Sequence, residues 1–208
     1  MNEITPQAFP YQPVPSAPPK RRLVLRTVIT VLAVGSGVFL GKLAVGTLLG
    51  GPEDAGRYKL VPPASFQGLT LQDSGPRVDA IRLGQGMAKK GTAPVAVVYA
   101  DQAGTAQLVV SGASGAFTDK DPGAELVKNF HAMGVNGATV QKAGTPEGGA
   151  MSCGTLTTAD GTLTLCSWAD HSSLVTVTVP VENGPVTIEA LAERARALRS
   201  AMEVSKAS

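Results

Sequence analysis

The apolar positions of this chain follow two rhythms. From Leu23 to Gly50 (LVLRTVITVLAVGSGVFLGKLAVGTLLG) they form a nearly unbroken block with no amphipathic period, so a helix here is apolar around its perimeter. Beyond Gly51 they come in short runs broken by Gly, Pro, Asn and Asp, the pattern of a folded domain.

The block reads as one transmembrane helix over residues 23–50. Its uncharged heart, Thr27 to Gly41, has 15 residues. As a helix it covers roughly 22 Å, short of the ~30 Å hydrocarbon core. Extension to Leu49 completes the span but encloses Lys42. A Lys costs about 2.5–3.5 kcal/mol at the bilayer centre, and less where its stem reaches the headgroups. A cleaved signal peptide is the alternative, because RRLVLR resembles a twin-arginine export signal. No A-x-A-like site follows Leu49 and no Cys stands near the exit GGPEDAGRY, which favours an uncleaved signal-anchor. Gly37 and Gly41 form a G-x-x-x-G that could pair two such helices in a homodimer.

Downstream, YKLVPPASFQGLTLQ holds two short strand-like pieces, and VDAIRLGQGMAKKG a helix of poor period ending at Gly91. APVAVVYADQ and TAQLVVSG read as strands around a Gly turn. Asp121-Pro122 opens a helix: Asp is a good N-cap and Pro suits the first turn. Leu126, Val127, Phe130 and Met133 share its apolar face, and Gly134 follows it. Asn136-Gly137 is a turn signal before a strand near Thr139–Lys142. MSCGTLTT and TLTLCSW flank Ala159-Asp160-Gly161, a hairpin signal. LVTVTVP alternates, with Val175, Val177 and Val179 on one side and Thr176 and Thr178 on the other, as for a sheet with one buried and one wet face. Thr187 caps a last helix whose stripe is Ile188, Leu191, Ala195, Leu198 and Met202. The order predicts an α+β domain over residues 58–208: an antiparallel sheet with helices packed on one face. It follows a linker at 51–57.

Charge orients the chain. The net charge of +2 makes nucleic acid an unsuitable partner, and its distribution is uneven: +3 over residues 1–26 and −2 from Gly51 onward. Lys20-Arg21-Arg22 before the helix keeps the N-terminus cytoplasmic and sends the C-terminal domain out of the cell. Residues 1–22 then form a disordered Pro-rich cytoplasmic tail, with Pro at 6, 10, 13, 15, 18 and 19.

The densest chemistry lies in CSWADHSS, Cys166–Ser173. If Thr158–Gly161 form a four-residue loop, Thr157 faces Thr162 and Cys153 faces Cys166. An exported domain permits their disulfide, and closing that ~13-residue loop stabilises by on the order of 3 kcal/mol. The competing reading is a Cys166 thiolate activated by His171, in a thiol-redox enzyme or an exported hydrolase. Against a triad, Asp170 and His171 are adjacent and point to opposite sides of a strand, and no G-x-S-x-G elbow occurs. His131, near a helix end, is the other candidate base. Trp168 suits a core position beside the disulfide; with Asp170 and His171 it could instead line a ligand site. Two His and one Cys pair suggest neither a metal site nor a cofactor.

GGAMSCGTLTTADGTLTLCSWADHSSLVTV and AERARALRSAME resemble a group of actinobacterial membrane-anchored proteins without assigned chemistry. The resemblance implies a Pro-rich cytoplasmic tail, one membrane helix and an exported α+β domain with Cys153 and Cys166 paired. The strand–helix–strands–helix order also looks like PsbP/Mog1-like exported domains, at the level of fold alone. The expectation is a cell-membrane protein whose extracytoplasmic domain binds or senses a protein or small molecule.

Overall fold

The computed structural model describes residues 52–146 and 148–206. The predicted tail, the membrane helix at 23–50 and its Gly37/Gly41 contact lie outside these residues. Among the described residues no helix is long and apolar enough to cross a membrane.

The described chain is an α+β domain. Its strands are β1 (Tyr58–Leu60), β2 (Ser65–Phe66), β3 (Leu69–Gln72), β4 (Thr92–Ala100), β5 (Ala106–Gly115), β6 (Asn136–Gln141), β7 (Ala150–Thr158), β8 (Gly161–Ala169), β9 (Ser173–Thr178) and β10 (Glu203–Ser205). Its helices are α1 (Pro76–Gln85), α2 (Pro122–Ala132) and α3 (Ile188–Met202). Eight strands form one sheet in the order β2-β3-β4-β5-β9-β8-β7-β6, every neighbouring pair antiparallel. β1 and β10 form a separate antiparallel pair, with Leu60 opposite Glu203.

Local signals explain most boundaries. The Asp121 carboxylate accepts the Ala124 N–H at 2.9 Å and opens α2. The Thr187 hydroxyl accepts the Ala190 N–H at 3.2 Å and opens α3. The β7–β8 hairpin has the expected register, with Thr157 opposite Thr162 and Cys153 opposite Cys166.

Helices cover both faces of the sheet, which corrects the one-face expectation. α3 lays Leu191, Ala195, Leu198 and Met202 over Val110, Met151, Trp168, Val175 and Val177. On the opposite face α1 packs Val78 and Ile81 onto Ala96, Val98 and Val109. α2 packs Leu126 there against Ala150, Ala169 and Leu174, and Phe130 against Leu165. The reason is visible in the central strands: β4, β5 and β8 carry apolar or small residues at both parities, as strands buried on two faces must. The threonine side of β9 is covered as well. Thr178 is buried and donates to the Thr164 carbonyl at 2.7 Å, while Thr176 shares a 2.7 Å hydrogen bond with Ser167.

Two further boundaries differ from expectation. α1 ends at Gln85, and Met87–Gly91 form a loop into β4. Asn136-Gly137 is not a turn between elements. It lies at the start of β6, where the pairing with β7 slips between Asn136 and Thr139.

Candidate functional site

The turn from β8 to β9 gathers the polar chemistry of the domain. Trp168 and Ala169 alternate across the sheet, so the indole enters the α3 side while Ala169 meets α2. Asp170 then closes the turn: its Oδ1 accepts the N–H groups of Ser172 at 2.6 Å and Ser173 at 2.7 Å. This short polar side chain fixes the turn as an Asx-type motif. Gly149 completes the close fit. A Cβ there would lie 2.4 Å from the Ala169 carbonyl oxygen, and its φ of +69° suits glycine.

An ion network lies beneath this turn. Arg199, on the last turn of α3, is 1% exposed. Its Nη2 donates to Asp170 Oδ2 at 2.7 Å, its Nε to Glu203 Oε2 at 3.0 Å and its Nη1 to the Gly148 carbonyl at 3.1 Å. Glu203 Oε1 accepts the Trp168 indole N–H at 2.7 Å and the Ser173 hydroxyl. One guanidinium thus joins α3, the β8–β9 turn, the loop before β7 and the start of β10. Burial pushes the Glu203 carboxyl above its ordinary range and Asp170 adds repulsion. Arg199, Ser173 and Trp168 pull it back, and the net direction is upward. The network is satisfied internally, which a buried charge requires.

A second layer lies at the surface. His171 is about one quarter exposed in its side chain, with Nδ1 2.8 Å from Asp54 Oδ1. Its Nε2 is 3.0 Å from the Asp119 carbonyl oxygen. Both ring nitrogens therefore face acceptors: an imidazolium serves both, and a neutral ring can donate to only one. The His171 carbonyl accepts the Gly56 N–H at 2.8 Å, and the Ser172 hydroxyl donates to the Asp54 carbonyl at 3.1 Å. These contacts hold the Pro52–Arg57 segment on the turn. Burial, reinforced by Glu125, raises the Asp119 carboxyl, and its Oδ2 has no hydrogen-bond partner among the described residues.

The cysteines form a disulfide between directly opposed residues of β7 and β8, with Cα atoms 4.1 Å apart. Both are fully buried on the α3 side beside Trp168. Cys166 is half of that bridge, so it presents no thiolate for His171 to activate. Among the described residues the two ring nitrogens of His171 face Asp54 Oδ1 and the Asp119 carbonyl, and neither is paired with a hydroxyl or thiol. His131 lies exposed on the last turn of α2.

Of the three residues predicted for a ligand site, the structure brings Trp168 and Asp170 into one buried network and leaves His171 on the rim. Sequence reasoning missed Arg199, Glu203 and Ser173 inside, and Asp54 and Asp119 outside. One signal was available: Arg199 falls beside Ala195 on the apolar stripe of α3, and Glu203 follows it by four residues, the spacing of a same-face ion pair. The distant partners have no such signal, because only folding brings Asp54 to His171.

No family model matches the chain, and no curated protein or solved structure does so either.

Proposed function

We propose that the chain is a single-pass membrane protein, anchored by residues 23–50 with its N-terminus in the cytoplasm. Its disulfide-stapled α+β domain binds or senses a partner or condition outside. The buried Cys153–Cys166 bridge supports an oxidising compartment. The observation that carries the sensing role is the junction at His171. Through Asp54 and Gly56, this rim residue holds the segment that follows the anchor. A ligand that engages His171 therefore acts on the attachment between anchor and domain.

Trypsin cleavage at Arg57 tests this in the full chain held in membrane vesicles, with rates normalised to an unstructured reference peptide. His171→Ala removes the ring contacts with Asp54 and the Asp119 carbonyl, and its cleavage is expected to accelerate. Asp54→Ala, which removes the carboxylate contact alone, is expected to cleave faster than the wild type as well. A His171→Ala rate equal to the wild-type rate would remove the sensing role. Protease reaching the domain only from the cytoplasmic side would remove the topology.

A further inference from the structure

The end of the sheet that receives the incoming chain also carries an apolar and basic tip. α1 begins near Glu182, which pairs with Arg77. It runs to the other end, where the Gln85 amide donates to the Val95 carbonyl at 2.8 Å and to Ser111 Oγ at 2.9 Å. There Leu83 is 84% and Met87 97% exposed, the two most exposed large apolar side chains among the described residues. They lie four positions apart, and Lys89 and Lys90 follow. Neither lysine forms an ion pair among the described residues, and no acid occurs from Leu83 to Lys90.

A chain of contacts places this tip beside the incoming segment. A Cβ on Gly115 would lie 3.1 Å from the Gly91 carbonyl oxygen. The Gly115 N–H donates to the Ser172 carbonyl at 2.9 Å, and the neighbouring His171 carbonyl accepts the Gly56 N–H. Pro52, the first described residue, stands two positions after Gly50, the end of the predicted membrane helix. Two residues reach at most about 7 Å. Of the acids at this end, Asp54 pairs with His171, Asp170 pairs with Arg199 and Asp121 caps α2, while the half-buried Asp119 and the exposed Glu53 form no ion pair among the described residues.

We propose that Leu83, Met87, Lys89 and Lys90 form a foot that rests on the anionic phospholipid surface of the bilayer holding the anchor. The two apolar side chains enter the headgroup region and the two ammonium groups meet lipid phosphates. This is the composition of an interfacial contact. The inference rests on the anchored reading above and adds an orientation to it: the β8–β9 turn faces the membrane and the β4–β5 turn faces away.

The test uses the full chain in vesicles of phosphatidylcholine with about one-third phosphatidylglycerol, enough to give a negative surface potential. Met87→Cys carries an environment-sensitive fluorophore, and Ala103→Cys on the β4–β5 turn is the control. A free-thiol count before labelling verifies that the Cys153–Cys166 bridge is intact. The label at position 87 is expected to shift to the blue and to be quenched by nitroxide lipids, while the label at 103 stays in water. Adding Lys89→Glu and Lys90→Glu should lower the equilibrium constant for membrane contact at position 87 by roughly thirtyfold or more. Alkaline carbonate extraction separates the two readings. Release of the chain overturns the anchor and the foot together. An integral chain whose label at position 87 stays in water overturns the foot alone. A label at position 87 that enters lipid whatever the lysine charges or lipid charge overturns the electrostatic part.

Discussion

Replacing Arg199 by Met tests whether the buried ion network holds the domain together. Met fills much of the aliphatic volume of the arginine and removes its charge. Three hydrogen bonds disappear, to Asp170, Glu203 and the Gly148 carbonyl. Two carboxyl groups then share a desolvated space without a cation. Removing one partner of a buried ion pair costs about 3–5 kcal/mol, most of it from the charge left behind. For a domain of this size that lowers Tm by roughly 6–20 °C. Trp168, the chain's single tryptophan, donates to Glu203 and reports on the network directly, so denaturant unfolding followed by its fluorescence is a suitable assay. The loss should shrink on acidification, because protonating Glu203 removes an uncompensated charge. Arg199→Met combined with Glu203→Leu should recover part of it, since it deletes two members of the network together. A single substitution that costs less than about 1 kcal/mol at neutral pH would refute the reasoning, because no buried charge would then depend on Arg199.

Four further outcomes follow from the same geometry. Glu203 and Asp119 both have carboxyls raised in the fold, so between their ordinary and raised values the native state binds more protons than the unfolded state. Their contribution is fully present below the ordinary carboxylate range and is lost as pH rises through the raised values, so Glu203→Leu should reduce that slope in urea unfolding curves measured across pH. Replacing Cys153 and Cys166 by Ala should lower stability by about 3 kcal/mol through the freed loop, and adding reductant should then leave the variant's urea midpoint unchanged. Gly112→Ala should prevent folding, as seen by loss of near-ultraviolet circular dichroism, because its Cβ would lie 2.3 Å from the Leu174 carbonyl oxygen of the neighbouring strand. Thr187→Ala should cost about 1 kcal/mol through the lost α3 cap, measured by denaturant unfolding.

Some of this structure is legible in the sequence because the responsible physics is local. Asp121 and Thr187 sit directly before the helices they cap. A Thr-Ala-Asp-Gly turn sets the β7–β8 register, and with it the facing of Cys153 and Cys166. The α+β class follows from such signals. Which face each helix takes does not, because small and apolar residues on both sides of β4, β5 and β8 admit either solution. The site divides along the same line. CSWADHSS is conspicuous as a string, yet its meaning depends on Arg199 and Glu203, far along the chain. Asp170 and His171 are neighbours in sequence and belong to different layers. Asp170 turns inward to a guanidinium, whereas His171 turns outward to Asp54, a residue on a segment that reads only as a linker.

The pairing of β1 with β10 carries a mechanical meaning. Tyr58 lies opposite Ser205, and the Lys206 N–H donates to the Arg57 carbonyl at 2.9 Å, so the two ends of the domain leave side by side. A load applied between Arg57 and Lys206 opens that ribbon one rung at a time, like a zip, before it reaches the eight-stranded sheet. The same adjacency makes the domain a cassette: with its ends touching, it can be spliced into a surface loop of another protein without stretching either junction.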